Sequence, residues 1–238
     1  MVGARSAAMG FNRIADARFD SYNPRTAHRE IPKGIVSKNQ ALFFVFFSSL
    51  LLIFAAFMLN DLCFKLSPVA LVIVFFYSYT KRFTSFAHVF LGIALGIAPL
   101  GAWIAVTGEW GWQAFLLGCG VLSWVAGFDV IYACQDYEFD RNVNLFSIPK
   151  TFGIAKALWI SRLLHVVAFV ILLVLGYWVS LSWLYFSGAI IVGIILVYEQ
   201  NLVRANDLSR VDVAFFNMNG IISLIYLLFT AADIFLLG

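Results

Sequence analysis

Long apolar runs with almost no charge dominate this sequence and determine the solvent in which it can fold. One run, GVLSWVAGFDVIYACQ, contains a single carboxylate. Of the 238 residues, 62% are hydrophobic and 12% are charged, whereas soluble domains average about 45–50% and about 25%. The runs are continuous rather than alternating, which favours helices over a barrel. We therefore predict an all-α, multi-pass transmembrane bundle, formed by one domain over residues 1–238.

A length criterion predicts seven spans, because a helix needs about 20 mostly apolar residues to cross a bilayer. The predicted spans cover approximately residues 42–60, 66–80, 86–106, 113–134, 158–179, 183–200 and 213–237. The second is short, and we expect Asp61 to Lys65 to extend it as an interfacial cap. The first 40 residues are mostly polar and basic, so no N-terminal signal peptide is predicted.

The basic residues predict the orientation of these spans. If each span crosses once, segments 1–41, 81–85, 135–157 and 201–212 lie on one side. With Arg162 added, that side holds 15 of the 16 Lys and Arg residues, and the other side holds only Lys65. Lys and Arg concentrate on the cytoplasmic side of membrane proteins. The net charge of +3 is therefore explained without a nucleic-acid partner.

The segment NRIADARFDSYNPRTAHREIPKG carries the first polar cluster of the cytoplasmic side. Asn12, Asp16 and Asp20 follow an i, i+4, i+8 spacing and share one face of a helix, which the NPRT that follows is expected to end. Such an oxygen-only face suits Mg²⁺, with room for water and phosphate oxygens. The alternative is a solvated helix end in which the two carboxylates pair with Arg13 and Arg18.

A second acidic pair leaves a membrane helix on the same side, in the stretch DYEFD. Asp136 and Asp140 again share a helical face, and Glu138 points elsewhere. Alternatively, Asp140 only ends a helix and Asp136 pairs with Arg141. Two acidic pairs facing each other across a cavity mouth would hold two divalent ions, which would neutralise a diphosphate and help it depart.

Basic residues lie near both acidic pairs and would form an anion-binding rim, since Arg offers a bidentate fork and Lys a point charge. In chain order they are Arg25, Arg29, Lys81, Arg82, Arg141 and Lys150. Tyr77 lies one helical turn before Lys81, on the same face. The alternative for each basic residue is an ordinary contribution to the charge asymmetry across the membrane.

These stretches resemble the motifs of the UbiA superfamily of intramembrane prenyltransferases. NRIADARFD is similar to its NDxxDxxxD motif, DYEFD to its DxxxD motif and YSYTK to its YxxxK element. NPRTAHREIPKG, GIAPLGAWIAVTG and DLSRVDVAFFNMNG resemble the bacterial 4-hydroxybenzoate polyprenyltransferase branch, including its menaquinone-pathway relatives. The resemblance covers essentially the whole chain.

The resemblance implies a helical bundle around a central cavity. It also implies an integral protein of the bacterial inner membrane, with the acidic motifs on the cytoplasmic side. It implies an enzyme that joins a polyprenyl diphosphate to a small aromatic acceptor such as 4-hydroxybenzoate in ubiquinone or menaquinone synthesis. The implied Mg²⁺ ligands are Asn12, Asp16, Asp20, Asp136 and Asp140. Lys81 and Arg141 would contact the phosphates, and Tyr77 would lie near the ionising carbon.

Two features depart from the family pattern. Arg13 stands where the motif has Asp. Family members usually have nine spans, and the first acidic motif ends the second of them. Here that motif begins at Asn12, so we expect the first span and most of the second to be missing from this chain. Those helices would otherwise help to close the cavity and bind the acceptor.

Several further residues are weaker candidates. His88 could accept a proton or orient a substrate carboxylate, or could be an ordinary interfacial polar group. Asp129 lies two turns before Asp136, where it would line the cavity or support the metal ligands. The last cytoplasmic loop, with Glu199, Arg204, Asp207, Arg210 and Asp212, is expected to form internal salt bridges. Helix-end roles are expected for Asp61, Glu109 and Asp233, and free thiols for Cys63, Cys119 and Cys134.

Three alternatives to this function remain open. The same chemistry could use a haem, chlorophyll-type or naphthoate acceptor. The chain could be an inactive paralogue that binds prenyl diphosphates and releases no pyrophosphate. A transporter would place polar residues in the middle of the spans, and apart from Asp129 few such residues occur there.

Overall fold

Seven helices of the described chain are long and apolar enough to cross a membrane, so the predicted all-α, multi-pass architecture is confirmed. The structure is a computed structural model and describes residues 1–237. Its helices are α1 (Val2–Tyr22), α2 (Lys38–Leu59), α3 (Asp61–Thr80), α4 (Ala87–Thr107), α5 (Trp112–Ala133), α6 (Tyr137–Asn142), α7 (Ile148–Phe152), α8 (Ile154–Trp178), α9 (Trp183–Leu202) and α10 (Asn219–Leu236). A 3₁₀ turn, Cys134–Asp136, joins α5 to α6, and a π-helix, Val213–Met218, precedes α10.

The helix α1 is not one of the seven spans, yet it packs along α2. A Cβ atom added to Gly3 would lie 2.8 Å from the carbonyl oxygen of Ser48, and one added to Gly10 would lie 2.8 Å from Val45. Small residues allow this close antiparallel approach. The start of α1 therefore packs beside the middle of α2, so residues 1–41 do not all lie at one end of the bundle.

Glycines also allow α4 and α5 to pack with their backbones nearly touching. A Cβ atom on Gly96 would lie 2.6 Å from the carbonyl oxygen of Gly118, and one on Gly92 would lie 2.5 Å from that of Leu122. Gly92 and Gly96 form a G-x-x-x-G pattern. In a membrane, where helices gain little from the hydrophobic effect, such a pattern stabilises helix pairs through close van der Waals contact. This contact fixes α5, the most buried of the seven spans.

The connections between spans differ at the two ends of the bundle. At one end, α2–α3, α4–α5 and α8–α9 are joined by short turns. There Asn60 caps α3 by accepting a hydrogen bond from the Cys63 amide at 2.9 Å, so Asp61 to Lys65 are helical. Asp233, near the end of α10, accepts hydrogen bonds from the backbone amides of Ser182 and Tyr185 at 2.9 Å each and so caps α9.

The longer connections all lie at the opposite end, because the spans alternate in direction. They comprise residues 23–37, 81–86, 134–153 and 203–212. A buried cluster underneath them joins α5, α7, α8 and the segment after α9, and includes Val130, Ile148, Leu158, Val203 and Val211. This end of the bundle therefore has both a rigid base and the polar residues that the sequence analysis singled out.

Candidate active site

The two acidic motifs meet at a cavity of about 140 Å³ at the end with the longer connections. Ten of the thirteen predicted site residues line it: Asn12, Asp16, Asp20, Arg25, Arg29, Tyr77, Lys81, Arg82, Asp136 and Asp140. The other three, His88, Arg141 and Lys150, do not. The walls come from the last turns of α1, α3 and α5, so residues up to 128 positions apart in the sequence face one space.

The first motif occupies the last three turns of α1. The Asn12 side-chain amide donates a hydrogen bond to Asp16 at 3.0 Å. Asp20 is buried, and both its carboxylate oxygens accept from one nitrogen of Arg29, at 2.8 Å each. Burial raises the pKa of Asp16, which the nearby Lys81 ammonium partly offsets. Neither carboxylate pairs with Arg13 or Arg18, so the solvated helix end considered above is not formed.

The second motif begins where α5 tightens into a 3₁₀ turn and restarts as α6. Asp136 is buried and accepts two hydrogen bonds from Arg25, at 3.1 and 2.5 Å, and one from Asn23 at 3.1 Å. Asp140 is also buried and accepts from the Ser147 hydroxyl at 2.7 Å. As predicted, Glu138 faces away, with 76% of its side chain exposed.

Lys81 follows directly after α3 and lies between the two motifs. Its carbonyl oxygen accepts a hydrogen bond from the Phe146 amide at 2.7 Å, which ties α3 to the loop after α6. None of the salt bridges within residues 1–237 involves Lys81. Burial disfavours its charged form, but Tyr77 and the nearby carboxylates outweigh that effect and raise the pKa of Lys81. The lysine is therefore a cation available to an anionic ligand.

Arg82 and Tyr77 flank this lysine at the cavity wall. Arg82 is exposed, donates a hydrogen bond to the Ala15 carbonyl at 2.6 Å and stacks over the rings of Phe19 and Tyr79. Part of its hydrogen-bonding capacity is therefore used to hold α1 against α3. Tyr77 lies one turn before Lys81 on α3 and contributes to the same wall.

His88 lies behind the cavity and contacts it through Asp129. The imidazole is fully buried, with Nδ1 2.6 Å from an oxygen of Asp129 and Nε2 accepting from the Ile148 amide at 3.4 Å. Asp129 itself lines the cavity, the first of the two roles considered for it, and support of the metal ligands stays a prediction. A histidine in this position acts on a ligand only by orienting that carboxylate.

Arg141 and Lys150 point away from the cavity. Arg141 follows Asp140 directly and is turned about 100° around α6, which leaves 56% of its side chain exposed beside Glu138. The Lys150 ammonium lies over the Phe146 ring, 5.1 Å from its centre. Phosphate contacts by these two residues stay predictions, without support from the cavity geometry.

The structure adds lining residues that the sequence analysis did not single out. Tyr132 accepts a hydrogen bond from Arg25 at 2.6 Å, and its ring stacks on Phe215 with centres 4.1 Å apart. Asn23 and Thr26 are buried in the loop after α1, where Thr26 donates to the Asp20 carbonyl at 3.3 Å. Tyr132 lies four residues before Asp136, a same-face spacing that could have indicated it.

The expected salt bridges of the last loop are absent. Among residues 1–237 no salt bridge links its charged residues. Arg204 and Asp207 pair through their backbones, and Asp212 accepts from Gln135 at 3.1 Å. Glu199 is not in the loop, because α9 continues to Leu202, and it is fully buried. The three cysteines are free thiols, as expected.

The donor set is suited to Mg²⁺ only if a ligand supplies further oxygens. Within the described residues, no three His, Cys, Asp or Glu side chains lie close enough together to hold an ion. The motif residues that line the cavity nevertheless offer only oxygen donors, in two separate pairs. Protein Mg²⁺ sites commonly combine one or two carboxylates with substrate phosphates and water, and this arrangement fits that pattern.

A family model decides the classification. The model of the "UbiA prenyltransferase family" matches residues 1–221. The chain belongs to the UbiA prenyltransferase family. It is accordingly a prenyltransferase by class and an integral membrane protein, and the resemblance inferred from its motifs is confirmed.

Curated UbiA relatives are about 30% identical in sequence to this chain. A 4-hydroxybenzoate octaprenyltransferase from Vibrio campbellii is 33% identical over 229 residues, which cover 94% of this chain and 79% of the relative. One from Methylobacillus flagellatus is 31% identical over 232 residues, covering 97% and 78%. The chain thus spans somewhat more than three quarters of these relatives.

Solved UbiA structures have the same fold. The apo structure of a UbiA homolog from Aeropyrum pernix K1 has a TM-score of 0.89 and 31% identity, covering 98% of this chain and 86% of that one. A UbiA homolog from Archaeoglobus fulgidus, bound to GPP and Mg²⁺, has a TM-score of 0.71 and 16% identity, covering 97% and 84%. The second likeness concerns the fold alone.

Proposed function

We propose that this enzyme transfers a polyprenyl group from a polyprenyl diphosphate to an aromatic acceptor such as 4-hydroxybenzoate, in ubiquinone or menaquinone synthesis. The observation that carries the proposal is the convergence of two acidic pairs and Lys81 on one cavity, where Lys81 has no salt bridge to any described residue. The names of the curated relatives support the acceptor, since they are 4-hydroxybenzoate octaprenyltransferases.

The acidic motifs would hold the diphosphate through metal ions. Mg²⁺ would be bound by Asp16, Asp20, Asp136 and Asp140, with Asn12. When bound, Mg²⁺ would neutralise the diphosphate charge and make it a better leaving group. Lys81, Arg25 and Arg29 would donate to phosphate oxygens, because Arg25 and Arg29 already contact the motif carboxylates and Lys81 lines the same cavity.

The remaining lining residues would control the carbocation and the proton. Loss of the diphosphate leaves an allylic cation, which survives only where water is excluded. The rings of Tyr77, Phe19 and Phe139 line the cavity and would shield that cation. The acceptor ring attacks the cation and must then lose a proton. We assign that proton to Asp129, the lining carboxylate outside both motifs, with His88 orienting it.

The location that we propose is the bacterial inner membrane, with the cavity on the cytoplasmic side and lipid around the spans. Support comes from the basic residues, 15 of 16 of which fall in or next to the segments assigned to the cytoplasmic side. A water-soluble acceptor and the diphosphate head group would enter from that side, while the prenyl chain stays among apolar helices. Nucleic acid has no role in this proposal.

Isosteric carboxylate variants test the proposal. Purified enzyme in nanodiscs would be given polyprenyl diphosphate, Mg²⁺ and 4-hydroxybenzoate, with prenylated product and released pyrophosphate quantified by mass spectrometry. Asp16→Asn and Asp136→Asn should each lower the rate by at least about a hundredfold, the scale on which loss of one electrostatic stabiliser acts. Glu138→Gln is the matched control, because it lies between the motif carboxylates but faces solvent.

The result that contradicts the proposal is full activity in both Asn variants. Pyrophosphate release without prenylated product would support ionisation of the polyprenyl diphosphate but indicate that 4-hydroxybenzoate is not the acceptor. Naphthoate, haem and chlorophyll-type acceptors would then be screened in the same assay. Binding of diphosphate with no pyrophosphate release under any of these conditions would indicate a binding protein instead.

A further inference from the structure

Each acidic motif of the cavity is already paired with a cation of the protein. Arg25 forms two hydrogen bonds with Asp136, and Arg29 donates to both oxygens of Asp20. The other acid of each motif has only neutral hydrogen-bond donors, Asn12 on Asp16 and Ser147 on Asp140. One guanidinium thus offsets one of the two carboxylates in each pair.

Both arginines come from a single loop, which is held firmly against the cavity. Asn23 ties the start of the loop to Asp136, and Thr26 ties it to the Asp20 carbonyl. Tyr132 accepts from Arg25 at 2.6 Å while its other face stacks on Phe215, a residue of the π-helix. A ring wedged between an arginine and a neighbouring helix restricts where that arginine can go.

The balance of charges in the cavity determines how the two arginine–carboxylate pairs affect ligand binding. Five carboxylates and four cations line it. A metal ion that took both carboxylates of a pair without diphosphate would displace a guanidinium, which would remain partly buried without an acidic partner, and such a state is costly. A diphosphate arriving alone would meet surplus negative charge. If both arrive, the displaced guanidinium gains phosphate oxygens as new partners.

We propose that Arg25 and Arg29 act as placeholder cations that move from carboxylate to phosphate when metal and diphosphate bind together. The inference rests on the proposed function, whose ligands it takes as given, and adds the order in which they bind. The exchange makes metal and diphosphate binding cooperative. By linkage, each ligand raises the affinity for the other by the same factor.

The decisive measurement is metal binding without diphosphate. Mn²⁺ would be titrated into wild-type enzyme and into Arg25→Gln and Arg29→Gln, with free Mn²⁺ followed by electron paramagnetic resonance. Removing a placeholder should tighten Mn²⁺ binding about tenfold, within the usual range of coupling between two ligands. Arg18→Gln is the matched control, because it removes the same charge from an exposed position outside the cavity lining.

A second titration uses preformed Mg·pyrophosphate, which has no carbon–oxygen bond to ionise. Its affinity should fall about tenfold in each placeholder variant, because the guanidinium that would meet the phosphates is gone. Opposite changes in the two titrations identify an exchange, since a variant that only damages the fold would weaken both. Circular dichroism would confirm helical content, and Arg25→Lys would test whether a fork-shaped donor is needed.

The proposal fails if neither placeholder variant, folded as judged by circular dichroism, binds Mn²⁺ at least about threefold more tightly than Arg18→Gln. Failure of the proposed function has a different signature. In that case wild-type enzyme itself would not bind Mg·pyrophosphate, whatever the Mn²⁺ titrations show.

Discussion

Replacing Lys81 should weaken diphosphate binding more than replacing any basic residue outside the cavity. Two unit charges about 4 Å apart interact by about 4 kcal/mol at an effective dielectric constant of about 20. Lys81 has no salt-bridge partner within the described chain, so its charge is available to the ligand. In the proposed complex Arg25 and Arg29 would also contact the phosphates, so we take half of that energy. For Lys81→Gln this gives about 2 kcal/mol, or about thirtyfold in Kd.

A comparison with Arg141 tests whether position in the cavity, rather than positive charge alone, determines diphosphate affinity. The resemblance to family motifs assigns phosphate contacts to both residues, whereas the structure places only Lys81 in the cavity lining. Calorimetric titration of Mg·pyrophosphate into enzyme in nanodiscs would measure Kd for Lys81→Gln and Arg141→Gln. The reasoning is refuted if the Arg141 variant loses more affinity than the Lys81 variant while both unfold at the wild-type temperature.

The pH dependence of the same titration provides a further check. The pKa of Lys81 is raised above its ordinary 10.5, so the ammonium stays charged in the folded protein until the pH passes above that value. The part of the phosphate affinity that depends on Lys81 is therefore fully present below pH 10.5 and lost only at higher pH. Titration of Lys81 should therefore cause no decline in Mg·pyrophosphate affinity between pH 8 and 10. The assignment is contradicted if the wild-type affinity falls with a midpoint below pH 10 and that fall is absent from Lys81→Gln.

Two predictions concern the stability of the bundle. Gly96→Ala should lower the thermal unfolding midpoint, because the added methyl group would lie 2.6 Å from the Gly118 carbonyl oxygen. Gly101→Ala on the same helix, where a Cβ atom meets nothing within 4 Å, should be neutral or raise it, and equal losses in both would refute the packing argument. Asp233→Ala should cost about 1 kcal/mol, the usual scale for a helix cap, measured as the shift in that midpoint. An unchanged midpoint would show that the cap of α9 is dispensable.

The spans and the acidic pairs could be predicted because each depends on local sequence. Bilayer thickness sets the length of an apolar run, and helical periodicity places Asp16 and Asp20, or Asp136 and Asp140, on one face. That both pairs lie at the same end of the bundle follows from counting spans. These properties need no knowledge of which helices are neighbours.

The partners of the carboxylates could not be predicted in the same way. Arg18 and Arg141 are near the acids in sequence, but the guanidiniums that bind them belong to Arg25 and Arg29. Arg25 reaches Asp136 across 111 positions, and that pairing depends on how the loop after α1 folds back over α5. Sequence spacing carries no information on such a fold-back. The alternatives that paired the first motif with Arg13 and Arg18, and Asp136 with Arg141, therefore named the wrong arginines.

The boundary errors share one physical origin, which is that burial overrides composition. The polar start of the chain looks like a segment in water, yet its small residues let α1 pack deep against α2. Glu199 looks like a loop residue, yet α9 carries it into the interior. In both cases the contact with a neighbouring helix, which the sequence of one segment does not contain, decides where the polar group lies.

The helix α5 connects packing to chemistry in this protein. Its glycine contacts with α4 fix its position among the other spans. A helix with a fixed position holds its functional groups at constant distances from one another and from the cavity. Asp129, Tyr132 and Asp136 follow at intervals of three and four residues, so one face presents a carboxylate, an arginine support and a motif ligand to the cavity. The 3₁₀ turn then redirects the chain so that Asp140 faces the same space. A shift of α5 would move all four groups together, and for this reason we expect substitutions at the α4–α5 contact to affect diphosphate binding as well as stability.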